Sequence, residues 1–215
     1  SGTYGNFTFN SSTGGWTYTL DNAKAATQGL TAGQTVHDTL TVTSVDGSKT
    51  QLIDVTVTGA NDSASISGSA TGSVTEDGTL TANGTLTVSD VDTGEARFQT
   101  PASLTGTYGS FTFNATTGAW SYTANNSSLQ SLGAGQTATE TLTVKSVDGT
   151  ATQQISVTLN GVNDAPTGTN ASLTILEDTP RSFAASDFGF ADVDSGDSLK
   201  AVRIDSLPLN GSLAL

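Results

Sequence analysis

The sequence repeats itself over the length of a whole domain, and this limits the possible folds more than any other feature. GTYGNFTFNSSTGGWTYT, from Gly2, recurs as GTYGSFTFNATTGAWSYT from Gly106, an offset of 104. After a two-residue deletion, LTAGQTVHDTLTVTSVDG recurs as LGAGQTATETLTVKSVDG and VTGANDSA as LNGVNDAP, so that from Asn61 to Asn163 the offset is 102. A solenoid turn of about 20 to 45 residues buries its apolar face only against neighbouring turns, whereas a unit of this length can close a core of its own. Boundaries are placed at Asn61-Asp62 and Asn163-Asp164, each after a strongly alternating segment and a Gly. The second boundary runs into Pro166, which resists strand pairing. The chain then reads as the back part of one unit (1–60), a complete unit (61–162) and the front part of a third (163–215).

Within the complete unit, apolar residues alternate with period two, the pattern of half-buried strands. Strands are predicted over 73–76, 79–89, 95–100, 106–114, 119–124, 137–146 and 150–159. Phe111 and Phe113 share one face, as do Trp120 with Tyr122, Leu142 with Val144, and Ile155 with Val157 and Leu159. Asp77-Gly78, Asn114 to Gly118 and Asp148-Gly149 supply turns that tolerate positive φ. Seven short strands in about 100 residues predict an all-β, Greek-key sandwich of immunoglobulin or cadherin type. An odd number of strands puts the two ends of a unit at opposite poles, so linked units form an elongated string.

Seven Lys and Arg face twenty Asp and Glu, a net charge of −13, which opposes binding to nucleic acid or to anionic lipid and favours cations as partners. The chain has no Cys, so disulfides and thiolate metal sites are excluded. No apolar run approaches the roughly 18 residues of a membrane span, and the opening SGTYGNF lacks the character of a signal peptide. Export signals are therefore expected outside these residues.

The carboxylates are not scattered. Fourteen of the twenty fall in four recurring motifs. These are the linker residues Asp62 and Asp164, the pairs Glu76-Asp77 and Glu177-Asp178, the runs DVDTGE and DVDSGD, and the hairpin residues Asp46 and Asp148. Strand direction places Glu76 and Asp77 at the exit pole, facing Asn163, Asp164, Asp192, Asp194 and Asp197. It returns Asp90, Asp92 and Glu95 to the entry pole beside Asn61 and Asp62, and puts Asp148 there too. Hard oxygen ligands at alternate residues with intervening Gly suit a cation taking six to eight oxygens, Ca²⁺ before Mg²⁺ or Zn²⁺. The competing reading of each motif is a solvated turn.

The aromatic hairpin, the AGQ turn, TLTVKSVDGT and VNDAP resemble the VCBS-type repeats of large bacterial adhesins and RTX-type secreted proteins, over about residues 1–165. The NDAP linker with ED and DVDSGD is similar to the cadherin-like pattern. LEDTPRSFAASDFGFADVDSGDSLKAV and LPLNGSLAL look like a related cadherin-like repeat of the same proteins. The resemblance implies export by a type I secretion system, an extracellular or cell-surface location, and a role in adhesion or biofilm. It implies calcium-stiffened extender repeats whose partners are neighbouring repeats, with any receptor or glycan bound through other domains. The alternatives are a carbohydrate- or protein-binding module and accessory repeats of a large secreted hydrolase.

No catalytic machinery is expected. His37 is the sole histidine and Thr139 stands at its repeat position, so no chemistry shared by the units depends on it. The carboxylates lie at joints and not across a cleft, as glycoside hydrolysis would need. Trp16 and Trp120 are compatible with a sugar-stacking platform, but their register with Tyr18 and Tyr122 favours a core role.

Overall fold

The computed structural model describes residues 1–213. The back part of the first unit holds two antiparallel hairpins, β1 (Gly5–Phe9) with β2 (Trp16–Leu20), and β3 (Thr35–Thr43) with β4 (Thr50–Thr58). A short helical turn, α1 (Ala25–Gln28), joins the hairpins. The central unit contains β5 (Ser65–Gly68), β6 (Thr71–Thr75), β7 (Thr81–Ser89), β8 (Gly109–Phe113), β9 (Ala119–Ala124), β10 (Thr137–Lys145) and β11 (Thr152–Asn160). In this unit α2 (Asn126–Leu129) precedes β10.

The central unit is an all-β sandwich. One sheet has the order β5-β7-β9-β8 and the other β10-β11-β6, with β6 parallel to β11. Their facing sides bury Val74, Leu86, Phe111, Trp120, Tyr122, Leu142, Val144, Ile155, Val157 and Leu159. Every shared face read from the period-two pattern is present in this core. Outward positions of β6, β10 and β11 carry Thr, Ser, Asn and Gln, with Lys145 at one end, so charge is concentrated at the poles.

Two strand assignments need correction. The strand predicted at 73–76 is β6, at Thr71–Thr75, and it is preceded by a strand, β5, that the pattern did not predict. β5 pairs with β7, the chain crosses between sheets at Gly68 (φ 113°), and β6 then pairs with β11. The segment 95–100 is not a strand. Tight turns from Asp92 through Arg97 consume its start and Pro101 ends it, leaving a single bridge from Phe98 to Ser146 beside β10.

The GTYG motif has a packing explanation that periodicity alone did not reveal. Buried Glu140, on an inward position of β10, accepts hydrogen bonds from the backbone N–H of Thr107 (2.7 Å) and Tyr108 (2.9 Å). A Cβ on Gly106 would stand 1.7 Å from the Glu140 carboxylate, and one on Gly109 would stand 2.6 Å from the Tyr122 hydroxyl. In the first unit Asp38 does the same for Thr3, Tyr4 and Gly5 and also accepts from the Tyr18 hydroxyl at 2.7 Å. The detectable signal was an acidic residue recurring at a core-facing position of an alternating strand.

Tyr122 differs from Tyr18 in that its buried hydroxyl has no partner. Burial, and then the Glu140 charge, push its phenol up to about 12. The folded pKa lies above the unfolded value near 10, so the stabilisation is complete below about pH 10 and is lost as pH rises through about 12. Tyr122→Phe removes an unpaired polar group and should leave stability at pH 7 within about 0.5 kcal/mol of the parent or raise it. Urea unfolding at pH 7 and pH 11 checks both points. A large loss at pH 7 would show that the hydroxyl is bonded.

Residues 163–213 contain no strand among those described, only a 3₁₀ turn (Ala185–Phe188) and a bridge between Thr167 and Ala191. That bridge repeats the Ser65–Ser89 pairing of β5 with β7 at the offset of 102. Asp178 (φ 61°) also reproduces the left-handed turn of Asp77 (φ 52°). The bridge repeats at an offset of 102 and the turn at 101, so one residue is lost between them.

Candidate metal centres

Each pole of the central unit gathers carboxylates by the same local construction. At the entry pole, the run after β7 folds back so that the Asp92 N–H donates to Asp90 Oδ1 (2.9 Å), while Asp92 Oδ2 accepts from the linker N–H of Asp62 (2.8 Å). At the exit pole, the Asp194 N–H donates to Asp192 Oδ1 (3.0 Å) and Asp194 Oδ2 accepts from the N–H of Asp164 (2.8 Å). Asp92 is 2% exposed and Asp194 4%.

Asp90, Glu95 and Asp148 bring one carboxylate oxygen each within 4.8 Å of one another, and so do Asp192, Asp194 and Asp197. Asp148, on the β10–β11 hairpin, also accepts from the side-chain amide of Asn61 at 3.2 Å. Strand parity had placed Asp148 at this pole, and the contact with Glu95 makes it a full member of the cluster.

The exit pole adds the pair that ends β6. Glu76 is buried, its Oε2 accepting from the N–H of Val162 (3.2 Å) and its Oε1 from Gln130 (2.8 Å). The Asp77 N–H donates to Asn126 Oδ1 (2.9 Å) and Asp77 Oδ1 accepts from the Asn126 side-chain amide, so Asn126 of α2 and Gln130 just after it hold the two carboxylates in place. Sequence periodicity did not reveal these polar supports, because Gln130 and Asn126 lie in a turn that carries no apolar pattern. Asn163 closes onto Asp164 O at the start of the linker.

The electrostatics are those of crowded anions. Burial pushes the Glu76 carboxyl up, and the charges of Asp164, Asp77 and Asp194 push it further against the pull of the Val162 N–H. Glu95 is raised by burial and then by Asp92, Asp148 and Asp90, with Arg97 opposing. Asp164 is raised by burial and by Asp77, Asp194 and Asp192. Asp148 runs the other way. Burial raises it, but bonds from Ser146, Thr150 and Asn61 outweigh that and hold it at about 2.

Five carboxylate oxygens in these two clusters are buried with no hydrogen-bond partner: Asp90 Oδ2, Asp92 Oδ1, Glu95 Oε2, Asp164 Oδ2 and Asp194 Oδ1. Buried acceptors without a donor are costly, and a cation is the species that satisfies several at once. The donor set is all oxygen, on turns containing Gly94 (φ 84°) and Gly196 (φ 96°), which fits Ca²⁺.

The joints also make direct protein contacts. The Thr93 N–H donates to Gly29 O of the preceding unit (3.2 Å), and the Ser195 N–H donates to Ser131 O (3.1 Å), the equivalent pair at the offset of 102. His37 bonds exposed Asp54 through Nδ1 (2.8 Å), while Asp38 is turned inward onto Tyr18, so the two adjacent residues share no proton path.

Residues 61–161 match the family model described as the bacterial cadherin-like domain. No curated protein matches the chain. Among solved structures, the chain is similar to the protocadherin GammaB4 extracellular domain, with 18% identity over 91% of this chain and 34% of that one, TM-score 0.39. It is also similar to protocadherin Gamma B7 extracellular cadherin domains 1–4, with 16% identity over 90% and 49% of the two chains, TM-score 0.36. The chain spans about a third and about half of the lengths of these two. The family match falls on the central unit, which over residues 61–161 is similar to the bacterial cadherin-like domain.

Proposed function

We propose that the chain is a run of calcium-stiffened extender repeats in the stalk of a secreted bacterial adhesin that acts in cell-surface attachment or biofilm formation. The observation that carries this reading is the set of orphaned, buried carboxylate oxygens recurring at two equivalent joints. Units meet at Asn61-Asp62 and Asn163-Asp164. One joint uses Asn61, Asp62, Asp90, Asp92 and Glu95, together with Asp148. The other uses Glu76, Asp77, Asn163, Asp164, Asp192, Asp194 and Asp197. A bound Ca²⁺ supplies positive charge that satisfies these oxygens and cancels their mutual repulsion. The chain's own residues orient the carboxylates through the backbone N–H groups of Asp62, Asp92, Asp164 and Asp194.

The hydroxyl-rich outer face of the β6-β11-β10 sheet, charged only at Lys145, suits a spacer that leaves binding to other domains of a longer protein. The platform reading has less support, since Trp120 is 2% exposed and donates its indole N–H to Ser69 O at 2.8 Å. Secretion by a type I system, location at the cell surface and a non-enzymatic role belong to the same reading and rest on the resemblance to adhesin repeats.

Calcium should raise the melting temperature, with site affinities of about 10⁻⁵ to 10⁻³ M. At 100 times Kd, one site adds about 2.7 kcal/mol, which corresponds to an increase of about 10 °C or more for a unit of this size. The paired variant Asp192→Asn, Asp194→Asn should weaken binding at its own joint and leave the cooperative unfolding of the central core in place. Calorimetry in EDTA and in millimolar Ca²⁺ tests both. A melting temperature that does not move between the two conditions would sink the proposal.

A further inference from the structure

We infer that the central unit has a second function as a tension element loaded in shear, and that Asn160 and Glu76 form the latch that closes it. This rests on the reading of the chain as a stalk pulled from end to end. Tension enters at the Asn61 linker, on the N-terminal side of β6, and leaves at the Asn163 linker, on the C-terminal side of β11. Because β6 and β11 are parallel, from Thr71↔Ser156 to Thr75↔Asn160, these are opposite ends of one ladder. Pulling slides the two strands along each other, so the ladder bonds are strained together and not opened in turn. The crossover at Gly68 shares the load with the other sheet through β5 and β7, but β6–β11 is the pair that joins the two loaded strands directly.

The exit end of that ladder is fastened by more than its backbone. The Glu76 N–H donates to Asn160 O at 3.0 Å, extending the pairing past the end of β6. The Asn160 side-chain amide reaches back across to Ser73 Oγ and Val74 O, both at 2.8 Å. The Val162 N–H donates to Glu76 Oε2. Glu76 therefore binds the exit segment while its carboxylate faces the joint, so one residue links the ladder to the proposed cation cluster. Thr58 stands at the position of Asn160 in the first unit, with no amide to make the same crossing.

The test is single-molecule pulling of the 215-residue chain, whose lack of Cys lets cysteine handles be placed freely. Handles at Ala60→Cys and Ala165→Cys load the ladder in shear, and handles at Thr71→Cys and Ser156→Cys peel it from one end. Forced unfolding reports the barrier and not the equilibrium stability, so the two geometries separate what melting cannot. The expected result is an unfolding force several-fold higher in shear than in peeling. Asn160→Ala should lower the force in shear, as should the milder Ser73→Ala if the first variant folds poorly. Equal forces in the two geometries, or a shear force unmoved by both substitutions, would overturn the inference. Repeating the shear experiment in EDTA keeps the two proposals apart. A force independent of Ca²⁺ counts against the cation reading and leaves the contrast between geometries standing.

Discussion

Replacing Trp120 by alanine should destabilise the central unit by about 3 to 5 kcal/mol, the usual cost of emptying a large buried aromatic site. Trp120 is 2% exposed and lies between β6 and β7, where only glycines leave room for it. A Cβ on Gly84 would stand 2.7 Å from its Nε1, and one on Gly72 would stand 3.1 Å from its Cη2. The substitution leaves a cavity bounded by backbone that cannot collapse into it, and strands Ser69 O without its donor. The first unit supplies an internal control. Trp16 occupies the same place in the repeat but is 46% exposed, because no strands equivalent to β6 and β7 cover it among the described residues. Trp16→Ala should therefore cost less than about 1 kcal/mol. Urea unfolding followed by circular dichroism compares the two, and equal effects would show that Trp120 is not the keystone of the core.

Gly118→Ala should cost about 2 to 5 kcal/mol, two penalties acting at once. Gly118 has φ 68°, a conformation that burdens an L side chain by about 1 to 2 kcal/mol. A Cβ there would also stand 1.9 Å from Leu86 O and 2.9 Å from Phe98 Cε2. Overpacking against an immobile backbone oxygen adds about 1 to 3 kcal/mol. Gly135 separates the terms, since it has φ 80° and open space where its Cβ would be. Gly135→Ala should cost only the conformational part, about 1 to 2 kcal/mol. If both variants melt together, the close approach of Leu86 contributes nothing.

The parts of this molecule that were legible in its sequence are those governed by periodicity. Alternation in Thr137–Lys145 and Thr152–Asn160 gave the inward faces, and strand parity alone was enough to bring Asp90, Asp92 and Glu95 to the Asp62 linker and Glu76 to the Asp164 linker. Placement is not ligation, however, and their role in holding a cation remains part of the proposal. What escaped depends on partners far along the chain. β5 was missed because Ile66 stands alone among Ser and Gly, and only its pairing with β7 marks it as a strand distinct from β6, which pairs with β11 beyond Gly68. The segment around Phe98 has the apolar content of a strand, but the turns before it and Pro101 after it leave room for a single bridge. Glu140 and Asp38 were missed because an acidic residue on a core-facing position looks like an exception until the backbone it caps is known.

The two joints use equivalent atoms at a constant offset: Thr93 on Gly29 and Ser195 on Ser131, Asp62 on Asp92 and Asp164 on Asp194. A head-to-tail contact repeated without change is a screw operation, with one fixed rise and one fixed rotation per unit. A long array built on it winds into a superhelix whose pitch is set by the joint and not by the sandwich. Any face of the central unit then reappears along the array at regular azimuths. Small angular errors at successive joints add as a random walk, so the reach of the array is limited by the spread of that one angle, multiplied along its length.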